Sequence, residues 1–291
     1  MSDATDPAAP VPEAPPARRR ARRSPALLLG GVLVAAVVVA AALSFAWTPH
    51  DPVLVDASAR LLGPGADHWL GTDKYGRDVF SRLMVGARTT LFVGVVAVGV
   101  AALAGTPLGI LAGMAGRGTG EFVMRVNDLV LAFPALLLAI MFGAVFGAST
   151  LTAMVAIGIA TIPSFARIAR GATLQVMGTD YVLAARAAGR RPVAIAVRHV
   201  LPNISSLLIV QSSVSFAIAV LAEAALSFLG FGTRPPTPSW GRMLQESQEL
   251  LYVMPSLALW PGLAIALAVL GFNLLGDGLR DRLDPRLEGR R

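Results

Sequence analysis

The sequence predicts an all-α membrane protein, a polytopic bundle of six transmembrane helices. Three observations support this fold class. Of the 291 residues, 55% are hydrophobic and 15% are charged, whereas roughly a quarter of the residues in soluble domains are charged. The mean hydropathy is +0.64. The apolar residues also fall into six runs, each long enough to cross a hydrocarbon core, which takes about 20 helical residues.

The chain begins with a polar tail followed by the first apolar run. Residues 1–24 are rich in Ala and Pro and end in RRRARR, a composition that predicts a disordered cytoplasmic segment. The arginines before the first run would also suit a signal peptide. However, about 20 uninterrupted apolar residues are long for a signal, and no small-x-small cleavage site follows Trp47. We therefore predict a retained span.

The apolar runs divide the chain into three regions. Residues 1–24 form the tail, residues 25–89 the first span and an external loop, and residues 90–291 the main transmembrane domain with a C-terminal cytoplasmic tail. The six predicted spans cover approximately residues 26–47, 90–114, 124–147, 151–169, 205–229 and 256–276.

Two signals orient the bundle with both termini in the cytoplasm. In this orientation the inner segments hold 18 of the 25 Lys and Arg residues and the outer loops hold seven, as the positive-inside rule requires. The four tryptophans then fall at or near the outer interface, where an aromatic belt is expected. They are Trp47, Trp69, Trp240 and Trp260.

The longest inner loop, residues 179–203, contains the signals of a short helix. Thr179 or Asp180 can cap a helix N-terminus, and Gly189 suits the position after a helix C-terminus, where a positive φ is common. These signals predict a helix of about two turns over residues 181–188, lying outside the membrane.

Two interpretations of this loop remain open from the residues alone. Ala184 and Ala185 give the predicted helix a thin profile that would fit a groove on another protein, and Arg186 adds charge. A second short helix over residues 193–200 is then expected to lead into the fifth span. Alternatively, the loop is a solvated basic segment that only orients the protein.

The loop resembles a known motif. LAARAAG followed by HVLPN is similar to the cytoplasmic EAA loop of permease subunits in bacterial ABC importers. That resemblance implies a coupling helix that docks in a cleft of an ATPase subunit. Leu183 stands where the family usually has glutamate, so a polar contact there does not carry over. The coupling residues implied by the match are Asp180, Tyr181, Leu183, Ala184, Ala185, Arg186, Gly189, Leu201 and Pro202.

Further stretches resemble the dipeptide/oligopeptide/nickel branch and its C-type permease. They are HWLGTDKYGRDVFSRLMVGARTTL at residues 68–91, LAEAALSFLGFGTRPPTPSWGRML at 221–244 and FNLLGDGLRDRLDPR at 272–286. The resemblance covers most of the chain and implies a type I ABC importer fold in the bacterial inner membrane. Peptides are the expected substrates, with nickel complexes, haem or sugars as alternatives.

The resemblance also implies the partners. They are a homologous permease subunit, an external substrate-binding protein and two ATPase subunits, which bind the ATP and Mg. This chain is expected to hold no cofactor and to be no enzyme. A phosphate-binding loop needs a lysine in G-x-x-x-x-G-K-[ST], and the single lysine, Lys74, lies in no such motif.

The stretch before the second span is predicted to be a structural collar at the outer surface rather than a substrate contact. Gly71 and Gly76 mark turns, and Asp78 can cap the helix that follows. We expect no metal site, because the acidic residues lack the spacing of a calcium loop and the histidines, His50, His68 and His199, form no histidine-rich cluster. The charged residues expected to interlock as ion pairs are Asp73, Arg77, Asp78, Arg82 and Arg88.

Within the spans, a glycine stripe and a few polar residues are informative. Gly105, Gly109 and Gly113 lie four apart, so they share a helix face that a neighbouring helix can approach closely. Glu223 lies at membrane depth, where an ionisable group must face protein or water. It is either a structural hydrogen-bonding residue, which the resemblance favours, or part of a pathway. Further pathway candidates are Asp128, Gln211, Ser212, Ser213 and Ser215.

Composition weakens or excludes several other functions. The net charge is +7, but the basic residues flank apolar spans and form no continuous stripe, which argues against nucleic-acid binding. The chain has no cysteine, so disulfides and thiolate metal sites are excluded. The alternative to an ATP-driven importer is a secondary transporter or channel that uses ion coupling through Glu223. That class predicts inverted repeats or several charged residues within the spans.

Overall fold

The computed structural model describes residues 25–283. The tail predicted at residues 1–24, and residues 284–291 at the C-terminus, lie outside the described residues. Within this range the chain is helical and contains no strand. The main helices are α1 (Pro25–Ala46), α2 (Val79–Met114), α3 (Arg117–Leu131), α4 (Ala135–Phe146), α5 (Thr150–Met177), α6 (Asp180–Ala187), α7 (Pro192–Ile195), α8 (Leu201–Phe228), α9 (Trp240–Ser247) and α10 (Ser256–Leu283).

Five helical stretches are long and apolar enough to cross a membrane. They are α1, α2, α5, the continuous stretch Pro192–Phe228 and α10. The third predicted span, residues 124–147, is broken, because α3 and α4 meet at a bend of 76°. Pro134 lies at the break, and a proline disfavours helical backbone in the residue before it. The prediction of six spans therefore holds if the bent pair counts as one.

The helix α3 differs from the apolar helix that the sequence predicts over residues 124–147. One of its faces exposes the apolar side chains of Phe122, Val126 and Leu129. Another carries Arg117, which pairs with Glu121 at 3.1 Å. This segregation makes α3 amphipathic.

The glycine stripe of α2 packs against α5, as predicted. A Cβ built on Gly105 would lie 2.6 Å from the Ile162 carbonyl oxygen, and one on Gly113 would lie 2.8 Å from the Thr173 Cβ. Because no side chain intervenes, the backbones of α2 and α5 approach closely. Elsewhere α1 packs along α10, and α8 contacts α2, α5 and α10.

The outer end of the bundle, named after the predicted orientation, carries the loops at 47–78 and 229–255. Asp78 is the N-cap of α2, and its Oδ2 accepts a hydrogen bond from the Ser81 N–H at 2.7 Å. Gly71 and Gly76 have φ of 80° and 76°, which confirms both predicted turns.

The predicted charge network of the collar exists but has different members. Arg77 pairs with Asp73 at 2.7 Å, and Glu246 of α9 accepts from Arg77 at 2.6 Å and from Arg82 at 3.0 Å. The Arg82 side chain is only 2% exposed, so these contacts replace its lost hydration. The sequence analysis missed Glu246.

Two predicted members of that network have other partners. Asp78 contacts His68 at 2.9 Å, and the Arg88 guanidinium donates to the Ser44 hydroxyl at 3.1 Å and to the Ser44 carbonyl oxygen. Arg88 therefore joins α2 to α1 by hydrogen bonds, and its assignment to an ion pair was wrong.

The tryptophans divide into exposed and buried residues. Trp47 and Trp69 are exposed, as an aromatic belt requires. Trp240 is 3% exposed, and its indole N–H donates to the Leu83 carbonyl oxygen at 3.0 Å. Trp240 thus packs inside the bundle and does not face lipid as a belt residue would.

Candidate functional site

The short helix α6 lies between the fourth and fifth predicted spans and begins close to its predicted position. Thr179 occupies the N-cap, and its carbonyl oxygen accepts from the Leu183 N–H at 3.1 Å. Its side chain does not cap α6, because the hydroxyl donates to the Val176 carbonyl oxygen at 2.6 Å. Thr179 therefore ties the start of α6 to the end of α5.

The end of α6 confirms the predicted role of Gly189. Its φ is 73°, and its N–H donates to the Arg186 carbonyl oxygen at 2.9 Å. The Arg190 N–H donates to the Ala185 carbonyl oxygen at 3.1 Å. These two bonds satisfy carbonyl groups that a helix C-terminus leaves without partners, and the positive φ favours glycine.

One buried side chain anchors α6 to the rest of the bundle. Val182 is fully buried and belongs to an apolar cluster with Ile195, Val200, Ile204 and Ala169. These residues come from α5, from the segment that leads into α8 and from the start of α8, so Val182 joins α6 to the apolar core that both spanning helices share. The sequence analysis missed Val182, since a single apolar residue in a short helix carries no periodicity.

The remainder of α6 forms an exposed surface, which we call the docking face. Tyr181 and Leu183 are 46% and 48% exposed. Ala185 is half-buried. The docking face comprises Asp180, Tyr181, Leu183, Ala184, Arg186 and Ala187, all of them exposed. It combines small and apolar side chains with an acidic residue, Asp180, in its first turn and a basic residue, Arg186, in its last turn.

The segment after α6 does not form a separate second helix as predicted. The helix α7 begins at Pro192, continues through a π turn at Ala196–Val200 and runs without interruption into α8. In the π turn the Leu201 N–H reaches back to the Ala196 carbonyl oxygen. Pro202 has no N–H to donate to the preceding turn, and it follows directly after the π turn that joins α7 to α8.

A groove flanks this continuous helix. It has a volume of about 710 Å³ and lies between α2 and the stretch from Pro192 to Leu208. Its lining is apolar, with Pro107, Ile110, Val193 and Leu201 among the contributing residues. Leu201, predicted as a coupling residue, therefore faces this groove rather than the docking face.

The structure does not gather the predicted pathway residues into one site. Asp128 of α3 pairs with Arg167 of α5 at 2.8 Å, and both side chains are more than half exposed. The Gln211 amide donates to the Ser215 hydroxyl at 3.0 Å, whereas the Ser212 hydroxyl donates to the Leu208 carbonyl oxygen within α8. Their role in a pathway stays a prediction.

Glu223 lies elsewhere in α8 and is tied to the outer loop. Its side chain is buried, and its Oε1 accepts from the Ser227 hydroxyl at 2.7 Å and the Thr233 hydroxyl at 3.4 Å. The Ser227 hydroxyl in turn accepts from the Thr233 N–H at 3.0 Å. These contacts hold residues 229–233 against α8, which supports the structural alternative for Glu223.

Comparisons with known proteins agree with this architecture. The family described as binding-protein-dependent transport system inner membrane component matches residues 105–289. The dipeptide transport system permease protein DppC of Alkalihalophilus pseudofirmus is 45% identical over 231 residues, covering 79% of this chain and 76% of that protein. The glutathione transport system permease protein GsiD of Pectobacterium atrosepticum is 44% identical over 226 residues, covering 78% and 75%.

A solved structure supports the fold. The MetNI methionine ABC transporter in an inward facing conformation matches with a TM-score of 0.55, covering 68% of this chain and 96% of the matched chain. The sequences are 18% identical, so this match concerns the fold alone. It confirms the predicted fold of a type I ABC importer permease.

Proposed function

This chain belongs to the family of binding-protein-dependent transport system inner membrane components, and we propose that it imports peptides delivered by an external substrate-binding protein. It is a permease subunit of an ABC importer, a membrane component and not itself an enzyme. In the proposed assembly it lines the transport pathway together with a homologous permease. The peptide class is supported by the two relatives above, which are named for dipeptide and glutathione transport.

The single observation that carries the proposed mechanism is the construction of α6. Its docking face is exposed, while Val182 on the opposite side is buried against residues of α5 and α8. A partner that moves α6 therefore moves two spanning helices, because close-packed interiors transmit displacement. We assign the docking face to the cleft of an ATPase subunit.

Energy is proposed to come from two partner ATPase subunits that bind ATP and Mg. Lys74, the single lysine of the sequence, lies in the outer loop and pairs with Glu249 at 2.7 Å. This hydrogen bond raises the pKa of Lys74 and lowers the pKa of Glu249. Lys74 thus belongs to the collar, and we assign ATP hydrolysis to the partner ATPase subunits.

Both termini are proposed to be cytoplasmic in a bacterial inner membrane. The distribution of Lys and Arg supports this orientation, and it places α6 on the side where ATP is available. A secondary transporter or channel using ion coupling through Glu223 is not favoured. Membership of a binding-protein-dependent family and the contacts of Glu223 with Ser227 and Thr233 both argue against it.

Two disruptive substitutions test the coupling role of α6. Gly189→Val places a β-branched residue at a φ of 73°, which costs L-residues about 1–2 kcal/mol, and should distort the end of α6. Ala185 is half-buried next to the docking-face residues Ala184 and Arg186, and Ala185→Trp should place a bulky ring where α6 would enter a narrow cleft. We expect both variants to insert and fold, but to lose co-purification of the ATPase subunits or peptide uptake into proteoliposomes.

Matched controls separate coupling from general damage. Gly178→Val changes a glycine in the same inner loop whose φ is −87°, and Leu183→Glu introduces the residue more common in the family. Both should assemble and transport normally. Normal assembly and transport in Gly189→Val and Ala185→Trp would refute the coupling role, whereas intact ATP-dependent transport of a non-peptide substrate would refute only the peptide assignment.

A further inference from the structure

Three segments that are separate in sequence bring potential metal ligands together at the outer end. His50 follows α1, His68 lies in the loop before α2, and Asp78 is the N-cap of α2. Their ligand atoms all lie within 4.8 Å of one another. The sequence analysis expected the histidines to be dispersed, but the fold unites two of the three.

The distances within this trio suit a small dication. The Nδ1 atoms of His68 and His50 lie 2.9 Å and 3.7 Å from Oδ1 of Asp78. Zn²⁺ bonds of about 2.0–2.1 Å at tetrahedral angles place neighbouring ligand atoms about 3.3–3.4 Å apart. These two distances lie on either side of that value, and the ligand atoms of all three residues lie within 4.8 Å of one another, so rotations of the side chains would close the site.

The carboxylate of Asp78 is already oriented for such a role. Its Oδ2 accepts from the Ser81 N–H at 2.7 Å, which leaves Oδ1 directed at the imidazoles. The backbone also holds His50, because its N–H donates to the Ser81 hydroxyl at 3.1 Å. One residue of α2 thus positions two members of the trio, in the manner of outer-shell partners that orient metal ligands.

Aromatic rings also pack between the same three segments. Each segment contributes one ring next to its ligand, namely Trp47, Trp69 and Phe80. The centroid of Trp69 lies 6.3 Å from that of Trp47 and 5.0 Å from that of Phe80. These ring contacts help to hold the three segments together, while the His50 side chain remains 41% exposed and open to solvent.

We propose that His50, His68 and Asp78 form a site for a transition-metal dication of the Zn²⁺ type. Two imidazoles and one carboxylate are ligands that Zn²⁺ prefers, and the fourth position stays open to water. Without metal, His68 donates its Nδ1 proton to the Asp78 carboxylate. On binding, the His68 ring would change tautomer: its proton would move from Nδ1 to Nε2 by exchange with solvent, which frees Nδ1 to ligate the metal beside the Asp78 carboxylate. A bound metal would link the segment after α1 to the start of α2. This proposal does not depend on the proposed transport function.

Titration of the full-length, detergent-solubilised chain with Co²⁺ and Zn²⁺ tests this proposal. The chain should carry an affinity tag without histidine. We expect one Co²⁺ per chain with visible d–d absorption of a nitrogen and oxygen ligand set, displaced by Zn²⁺. Loss of an outer-shell partner typically weakens metal binding by 10–100-fold, so His50→Ala or His68→Ala should weaken it by about 100-fold or more.

The remaining histidine provides the matched control. His199 lies beside Tyr181 of α6, with ring centroids 6.0 Å apart, far from the trio in the fold. His199→Ala should bind Co²⁺ as the unmodified chain does. His50→Ala leaves the hydrogen bond between His68 and Asp78 in place, so this variant should still fold. An unchanged melting temperature in the absence of metal would verify that it does. Absence of Co²⁺ binding, or binding that survives His50→Ala and His68→Ala, would overturn the proposal.

Discussion

The contact between α2 and α5 allows a quantitative test with a paired glycine substitution. A Cβ built on Gly109 would lie 2.6 Å from the Ala169 Cβ and 2.9 Å from the Arg170 backbone nitrogen. The Ala166 carbonyl oxygen lies nearer still. Ordinary van der Waals contact begins at 3.4 Å, so the helices must separate by at least about 0.8 Å to accept one methyl group. The atoms in the way belong to the backbone or to Cβ, and they cannot rotate aside.

Gly99 lies in the same helix and serves as the reference position. A Cβ built there meets no atom within 4 Å. Both Gly→Ala changes gain similar helix propensity, up to about 1 kcal/mol, so their difference isolates the contact. Overpacking commonly costs about 1–3 kcal/mol, and we expect Gly109→Ala to be less stable than Gly99→Ala by that amount. Gly109→Leu should be less stable still.

The assay is thermal unfolding of the two variants in the same detergent, followed by intrinsic fluorescence. Gly109→Ala should unfold at a lower temperature than the unmodified chain, whereas Gly99→Ala should unfold at the same or a higher temperature. Equal unfolding temperatures for the two variants would refute the reasoning, because they would show that α2 and α5 do not pack through this stripe.

Two further predictions concern the collar and the orientation. Glu246→Gln removes the nearer of two carboxylates from the buried Arg82 and leaves Asp73 at 3.7 Å. Breaking a buried pair costs up to about 3–5 kcal/mol, so this variant should melt earlier. The control Glu121→Gln breaks an exposed ion pair, which is worth about 0–1 kcal/mol. Equal melting temperatures for the Glu246→Gln and Glu121→Gln variants would contradict the charge network around Arg82. Ala66 and Ala187 are both exposed, and each can be replaced by a single cysteine. In intact cells a membrane-impermeant thiol reagent should label the cysteine at position 66 and leave the cysteine at position 187 unlabelled. The reverse pattern would overturn the topology and, with it, the coupling assignment.

The residues that sequence reasoning identified well have a local physical cause. Gly189 was predicted at a helix end because a positive φ favours glycine wherever the chain needs it, and Asp78 was predicted as an N-cap from its position before a helix. The packing face of α2 was predicted because glycines spaced four residues apart lie on the same face of a single helix. Each inference required a few adjacent residues and no knowledge of the partner.

The errors arose where one element depended on another. The network around Arg82 was assigned to nearby residues, yet its main carboxylate, Glu246, comes from α9 far along the chain. Trp240 was placed in an aromatic belt, but the packing of α9 against α2 and α8 buries it. A charge or an aromatic ring in sequence does not specify which distant segment it will contact.

By itself, the sequence determined the membrane class, the approximate positions of five of the six spans and the helix that presents the docking face. These follow from apolar length, charge distribution and backbone preferences, which act over a few to about 20 residues. Only the tertiary structure decided the bend between α3 and α4, the anchoring of α6 through Val182, and the meeting of His50, His68 and Asp78. Such features depend on contacts between distant segments, and no fixed sequence spacing encodes those contacts.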